Sequence, residues 1–213
     1  MPTRKTLFSI GEYYHIYNRG NAKRTIFLYP EDYKYFVNLL YICNTEEPII
    51  VRELSKDFAP SKLLVDIGAY CLMPNHFHIL IKEKAEGGIS KFMRKVSTSY
   101  VMYFNRKYSL SGSLFEGKFK DRHVNSDQYL KYLYSYIHFN PLKLIDKYWK
   151  ENAKHNKDKY LSYIKDYAYS SCKSYLAAEE DWVLNKIPFP EYFVSRADYY
   201  EELLMWLSYG ETP

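Results

Sequence analysis

Two histidines separated by one residue, His76 and His78, lie in an apolar run that is typical of a β-strand. Side chains alternate along a strand, so both imidazoles lie on one face and Phe77 lies on the other. Imidazoles at such positions can chelate one metal ion, and burying two polar rings is costly without a partner. The alternative is a structural pair satisfied by hydrogen bonds within the sheet. A metal site built on this pair needs a third ligand.

The helix that follows the capping sequence NSD (125–127) offers that third ligand. Its apolar stripe consists of Leu130, Leu133, Tyr134 and Ile137. Tyr136 and Asn140 lie one turn apart beside this stripe, so their side chains point the same way. The carboxamide oxygen of Asn140 is a suitable ligand for Mg²⁺ or Mn²⁺. Tyrosines that flank an apolar stripe also serve simply as packing residues, which is the alternative interpretation of Tyr136.

Together these side chains could perform phosphoryl transfer. A metal ion held by two imidazoles and one amide oxygen polarises a phosphate, and the hydroxyl of Tyr136 attacks it to form a covalent phosphotyrosine. Tyrosine has a pKa near ~10, so it is a poor nucleophile at neutral pH unless a cation lies nearby. The pattern therefore predicts Tyr136 as the nucleophile and His76, His78 and Asn140 as the metal ligands.

Four other side chains are less suitable for these roles. Tyr134 belongs to the apolar stripe, and Tyr132 lies two turns from Asn140. His138 faces elsewhere and is interpreted as a helix-end or DNA-contacting residue. His15, in the first predicted strand, is expected to be structural.

The elements that must position these residues can be read from periodicity and turn signals. Strands are predicted at 13–19, 63–72, 76–81 and 113–124, and helices at 30–43, 89–106 and 126–139. This order predicts an α+β, ferredoxin-like fold, in which a four-stranded antiparallel sheet carries helices on one face and a third helix is added after the last strand. Residues 1–147 would form this domain.

The remaining residues, 148–213, are predicted to be a helical and loop extension that packs on the same domain. Residues 151–159 form a polar stretch that is interpreted as a loop. A last helix is predicted over 195–207, since Ser195 and Asp198 have the spacing of a capping box.

The composition narrows the class of protein. The chain has 213 residues, a net charge of +5 and an aromatic content of 19%, with 25 tyrosines. Tyrosine and positive charge together favour a surface that stacks bases and binds phosphates. Three cysteines far apart in the sequence exclude a disulfide framework or a zinc ribbon. No segment resembles a membrane helix or the apolar core of a signal peptide, so we expect a cytoplasmic protein without membrane partners.

Three basic segments are predicted to bind DNA, each of which could also be an ordinary solvated surface. The residues are Arg19, Lys23, Lys91, Arg94, Lys95, Lys118, Lys120 and Arg122. The first two flank Gly20, the next three share a face of the second helix, and the last three alternate along the fourth strand. We expect the three segments to converge near the metal site, where they would neutralise phosphates.

Several motifs extend this pattern. They are YHIYNRGNAKRTIF (14–27), YCLMPNHFHILI (70–81), GSLFEGKFKDRHV (112–124), YLKYLYSYIHFNPLK (129–143) and, more weakly, YAYSSCKSYL (167–176). In this order they resemble the HUH single-tyrosine transposases, and among these most closely the REP-associated tyrosine transposases. The resemblance extends from about Tyr13 to Leu176.

The resemblance implies a specific reaction. His76 and His78 match the family's metal pair, Tyr136 matches the nucleophile, and Asn140 takes the position of an Asn or Gln ligand. Family members use a divalent cation (Mg²⁺ or Mn²⁺), cut single-stranded DNA, retain a 5′-phosphotyrosine link, release a 3′-OH and often recognise DNA hairpins. Relatives include both monomers and homodimers, so the oligomeric state is open.

Two alternatives remain from other functional classes. A catalytically silent descendant would hold DNA hairpins without turnover, although the complete set of four site residues argues against it. A nucleotide hydrolase of the histidine-triad type would need a further histidine at position 80, where the chain has Leu80.

Overall fold

The computed structural model describes residues 7–55, 57–177, 179–193 and 195–209, without the side chains of 208 and 209. The strands are β1 (Tyr13–Arg19), β2 (Val65–Met73), β3 (His76–Glu83) and β4 (Lys120–His123). The helices are α1 (Pro30–Ile42), α2 (Gly88–Lys107), α3 (Asp127–Phe139), α4 (Trp149–Asn152), α5 (Lys157–Asp166), α6 (Cys172–Leu176) and α7 (Arg196–Tyr209). None of the helices in these ranges is long and apolar enough to cross a membrane.

The four strands form one antiparallel sheet in the order β2-β3-β1-β4. The two-residue turn between β2 and β3 is made by Pro74 and Asn75, and the predicted strand pair is confirmed. The register places Tyr17 opposite His78 on one side and opposite Lys120 on the other. The order of elements therefore builds the predicted α+β sheet with β1 and β3 at its centre.

Alternation along the strands divides the molecule into two apolar layers. On one face, Phe77 and Ile79 of β3 pack with the buried faces of α1 and α2, which include Phe36 and Tyr100. On the other face, Leu80 packs with α3 and with the residues that follow it. The expected arrangement of two helices on one face and an added third helix is confirmed, and the third helix lies on the opposite face of the sheet.

The fourth strand is shorter than predicted. Residues 113–119 do not form a strand, and this segment reaches the sheet through an isolated bridge between Phe115 and Gly20 and through Glu116 N–H, which donates to the carbonyl of Arg19 at 3.0 Å. Gly117, with φ of 153°, has a backbone conformation that interrupts the ladder. Lys118 therefore lies outside the strand, and the predicted alternation applies only to Lys120 and Arg122.

The interpretation of residues 151–159 as a loop is wrong. The segment contains the end of α4, a 3-10 turn at 153–155 and the start of α5. Most of its polar residues are exposed, whereas Trp149, Ala153 and Tyr160 are buried apolar anchors of these short helical elements. The predicted last helix is confirmed with its capping box, in which Ser195 N–H donates to Asp198 Oδ2 at 2.8 Å and Asp198 N–H donates to Ser195 Oγ at 3.2 Å.

A buried histidine joins α3 to the C-terminal extension. His138 is completely buried, with Nδ1 hydrogen-bonded to the hydroxyl of Tyr199 on α7 and Nε2 at 2.8 Å from Ser171 Oγ. The Ser171 hydroxyl in turn accepts the backbone N–H of Tyr70 on β2 at 2.9 Å. His138 does lie at the helix end, but its interpretation as a DNA contact is wrong. Burial, and then the charge of Lys186, lower the pKa of His138 to about 3.

The burial of neutral His138 between α3 and α7 should make the stability of the fold sensitive to acid. The folded state keeps His138 neutral while the unfolded chain binds a proton below the usual histidine pKa of 6.5, so stability falls as pH decreases from about 6.5 toward 3. From pH 7.5 to 5, the loss from this residue is about 2 kcal/mol. Urea unfolding of wild type and His138→Gln at both pH values tests this. The variant should lose less stability on acidification, and equal losses would contradict the assignment.

Candidate functional site

Strand β3 presents both predicted metal ligands on the α3 face of the sheet. His76 is half-buried, His78 is buried, and their ring centroids lie 5.1 Å apart. His76 Nδ1 lies 2.6 Å from the side-chain oxygen of Asn75, and His78 Nδ1 lies 2.8 Å from His15 Nε2. The second nitrogen of each ring, Nε2, takes no part in these two bonds. The shared face predicted from the His-x-His spacing is thus present.

Helix α3 brings the predicted nucleophile to these rings. Leu133 and Ile137 bury its apolar stripe against the sheet, which leaves Tyr136 half-buried at the edge of the contact. The Tyr136 ring lies edge-on to the rings of His78 and His15, with centroid separations of 5.6 Å in both cases. The helix therefore delivers a phenol to the predicted metal pair.

Asn140 completes the cluster at the point where α3 tightens into a 3-10 turn (Asn140–Leu144). Its side-chain amide donates to the carbonyl of Tyr136 at 2.8 Å, and it is hydrogen-bonded to His76. Its oxygen accepts from Lys143 Nζ at 2.9 Å. All four predicted residues, the two histidines, the tyrosine and the asparagine, are brought together.

The three histidines of the cluster are neutral at physiological pH. Burial, and then the charge of Arg122, lower the pKa of His15 to about 4. Burial, and then the charge of Lys143, lower the pKa of His76 to about 4, and burial holds the pKa of His78 well below its usual value. Metal ligation requires the unprotonated imidazole, so the electrostatics of the site suit it.

The donor chemistry fits a divalent metal. An amide oxygen only accepts, so His76 Nδ1–H donates to Asn75 and Nε2 is the unprotonated ring nitrogen that could bind a metal ion. A bond from His78 Nδ1–H to His15 would leave His78 in the same state, and such outer partners are typical of ligating histidines. Within the described ranges no three His, Cys, Asp or Glu side chains form a group that could hold a metal, so the third protein ligand would be the amide oxygen of Asn140.

The protein alone does not activate the tyrosine. Burial, and then the neighbouring phenols of Tyr129 and Tyr17, raise the pKa of Tyr136 above its ordinary value. The side chain is therefore a neutral phenol at neutral pH, and it needs a cation beside it to become an effective nucleophile.

Two residues of the site were missed by sequence reasoning. His15, expected to be structural, contacts both His78 and Tyr136, a proximity that follows from the pairing of β1 with β3. Lys143 donates to Asn140, and its Nζ lies 5.9 Å from the centre of the Tyr136 ring. A spacing of three residues from Asn140 in helical geometry was the available signal for Lys143.

A cleft of about 320 Å³ opens beside the two metal-ligand candidates, and Arg19, Lys23 and Lys120 line it with them. The Arg19 guanidinium also pairs with Glu116, at 2.7 Å from Nη2 to Oε1. These three cations meet next to the site, as expected.

The other predicted DNA-contacting residues do not line this cleft. Arg122 is on the same face of the sheet, with its guanidinium 4.5 Å from the centre of the Tyr129 ring. The three α2 residues, Lys91, Arg94 and Lys95, lie on a helix packed against the opposite face of the sheet, and Lys95 Nζ donates to the carbonyls of Thr45 and Glu47 at 2.6 Å. The expected convergence is therefore wrong for α2, because α2 and α3 lie on opposite sides of the sheet.

Two comparisons with known proteins found matches to this chain. The family described as "Transposase IS200 like" matches residues 13–140. Among solved structures, a REP-associated tyrosine transposase bound to a REP hairpin superposes with a TM-score of 0.52 at 13% identity, covering 92% of this chain and 96% of that chain. The tRNA(His) guanylyltransferase of Saccharomyces cerevisiae gives a TM-score of 0.38 at 11% identity over 91% of this chain and 90% of that chain, which is too low to support an argument.

No curated protein matches the chain. The match to the REP-associated transposase establishes the shared fold, and the family match covers more than half of the sequence, from β1 through Asn140, including all four clustered residues. The chain belongs to the IS200-like transposase family.

Proposed function

We propose that this transposase is a metal-dependent, single-tyrosine DNA endonuclease and strand transferase that acts on single-stranded DNA associated with hairpins. The observation that carries the proposal is the position of Tyr136, edge-on to His78 and His15 and one turn from Asn140. A phenol in this position adjoins two neutral imidazoles and an amide oxygen, which is a suitable arrangement for covalent phosphoryl transfer.

In the proposed reaction, the Tyr136 oxygen attacks the phosphorus of a DNA phosphodiester. The bond between phosphorus and the tyrosine oxygen forms as the bond to the 3′ oxygen breaks. The phenol loses its proton and the departing 3′ oxygen takes one up, so the products are a 5′-phosphotyrosine and a free 3′-OH. One phosphodiester bond thus replaces another. In the second step a different 3′-OH attacks the phosphotyrosine, the bond to the Tyr136 oxygen breaks, and strand transfer is complete.

His76, His78 and Asn140 would hold the metal ion, Mg²⁺ or Mn²⁺. When bound, the ion supplies Lewis-acid polarisation of the phosphate and the positive charge that a buried phenol lacks. His15 and Asn75 orient the two imidazoles through their Nδ1 atoms. The raised pKa of Tyr136 supports this dependence on an added cation.

DNA would enter along the positively charged cleft. Arg19, Lys23 and Lys120 line it, and Arg122 extends the same face toward Tyr129. Phosphate contacts of this kind supply affinity without reading sequence. The hairpin as partner is supported by the similar solved transposase, which is bound to a REP hairpin. Lys118, Lys91, Arg94 and Lys95 would contribute only to DNA that extends beyond the cleft.

The covalent step can be tested with labelled single-stranded hairpin DNA and Mn²⁺ on a denaturing protein gel. Wild type should form a slower-migrating protein–DNA band, and Tyr136→Phe should form none, because it lacks the attacking oxygen. The matched control is Tyr132→Phe, which removes a hydroxyl from the same side of α3, where the two rings lie 5.9 Å apart. The control should retain the band.

An adduct that persists in Tyr136→Phe would mean that another residue is the nucleophile. Tight hairpin binding by wild type with no adduct from a varied DNA library would favour the catalytically silent, hairpin-binding alternative.

Metal binding can be measured separately from turnover by calorimetric titration of the DNA-free protein with Mn²⁺. Replacing one ligand in His78→Ala should weaken binding by about 10²-fold, because a two-ligand site remains. His123→Ala is the control, since His123 on β4 is exposed and its Nε2 lies 2.8 Å from a carboxylate oxygen of Glu12. Equal Mn²⁺ affinity in wild type and His78→Ala would contradict the assignment of the site.

A further inference from the structure

Lys143 places a positive charge inside the candidate site. Its Nζ donates to the side-chain oxygen of Asn140 at 2.9 Å and lies 5.9 Å from the centre of the Tyr136 ring. Its charge helps to lower the pKa values of His76 and His78. The 3-10 turn that follows α3, with Pro141 in its first turn, returns the chain so that this side chain reaches the cluster.

This ammonium has no anionic partner among the residues that the structure describes. None of the ion pairs formed by the described residues includes Lys143. Its hydrogen bond is to the neutral side-chain oxygen of Asn140, so its positive charge remains available to a ligand. Lys143 is an exposed residue, so an anion can reach its ammonium from solvent, and a phosphate oxygen is a stronger acceptor for it than a neutral amide oxygen. The local charge therefore favours an anionic ligand between Lys143 and Tyr136.

We propose that Lys143 is a catalytic residue that binds a non-bridging oxygen of the phosphate attacked by Tyr136. The inference rests on the proposed function and adds to it the group that contacts the scissile phosphate. Negative charge grows on the non-bridging oxygens as the tyrosine attacks, and a fixed cation stabilises that charge more than it stabilises the ground state. No proton or electron is transferred by Lys143, which acts only through its charge and its N–H donors.

The oxygen of Asn140 is also the proposed metal ligand. Two cations repel when they share one amide oxygen, so the ammonium and a metal ion would compete for it. Lysine has a flexible four-carbon stem, and the phosphate oxygens offer its N–H groups a stronger, charged acceptor. The hydrogen bond to Asn140 is thus the resting position of a side chain that moves to the substrate.

The competing interpretation gives Lys143 a purely structural role. In that case its hydrogen bond orients Asn140 at the end of α3, and its removal would weaken metal binding by disturbing the third ligand. The two interpretations differ in whether Lys143 senses the charge of the phosphate itself.

The test first maps the scissile phosphate from the 3′-OH product of the wild-type reaction. That phosphate is then replaced by an uncharged methylphosphonate in an otherwise identical oligonucleotide. Affinity for both oligonucleotides is measured in Mn²⁺ with Tyr136→Phe, which binds without reacting, alone and combined with Lys143→Met. Lys147→Met, which removes an exposed lysine four residues further along the chain, is the matched control.

We expect the methylphosphonate to weaken binding about tenfold more when Lys143 is present than when it is replaced by Met, because the loss of attraction to the metal ion is common to both proteins. The Lys147→Met control should keep the tenfold difference. In proteins that retain Tyr136, Lys143→Met should slow single-turnover cleavage by about 10²-fold, whereas Lys143→Arg should recover most of the rate because it keeps the charge. Mn²⁺ affinity of the DNA-free Lys143→Met variant should be unchanged or higher.

An equal methylphosphonate penalty with and without Lys143 would overturn the proposal. Weaker Mn²⁺ binding by Lys143→Met, with no change in that penalty, would assign Lys143 to the orientation of Asn140 instead. Equal cleavage rates for wild type and Lys143→Met would refute this inference and leave the proposed function intact. The absence of any wild-type adduct would refute the proposed function, and this inference with it.

Discussion

The pairing of β1 with β3 is the constraint on which the site depends. Its antiparallel register sets Tyr17 opposite His78 and thereby brings His15 Nε2 within 2.8 Å of His78 Nδ1. A slip of one residue would turn every side chain of β1 to the other face, placing His15 in the apolar layer under α1 and α2. The buried residues that alternate with the histidines, Ile16 and Ile79, prevent this slip because they would be forced out of that layer.

The site also requires that α3 be held in place, and both the sheet and the C-terminal extension contact this helix. Its apolar stripe packs on the sheet, while His138 joins its last turn to Tyr199 of the extension. Near its start, Lys131 pairs with Glu202 at 2.7 Å and Tyr132 packs against Trp206 with centroids 4.9 Å apart. The C-terminal residues thus support the helix that carries the proposed nucleophile, although they lie outside the matched family region.

The site combines three neutral histidines with cations that lie around them. Burial keeps the three histidines unprotonated, while Lys143 and the cleft residues Arg19 and Lys120 carry the positive charge around them. Arg19 and Lys120 both pair with Glu116, and these ion pairs are exposed, so solvent weakens them. The arrangement leaves an electropositive space beside Tyr136, which complements a phosphodiester.

The sequence alone was sufficient to predict most of the strands and helices and the candidate site residues, because these depend on residues that are close together in the chain. Strand alternation places His76 and His78 on one face, and helical spacing places Asn140 one turn from Tyr136. Residues 151–159 were wrongly predicted to form a loop because their polar composition concealed short helical elements. The buried anchors of these elements, Trp149 and Tyr160, lie on either side of the segment. Tertiary structure alone decided that His15 meets His78, that Lys143 enters the site and that the α2 cations lie on the opposite side of the sheet. These facts depend on strand order and on the face to which each helix packs, which are set by contacts between residues far apart in the chain.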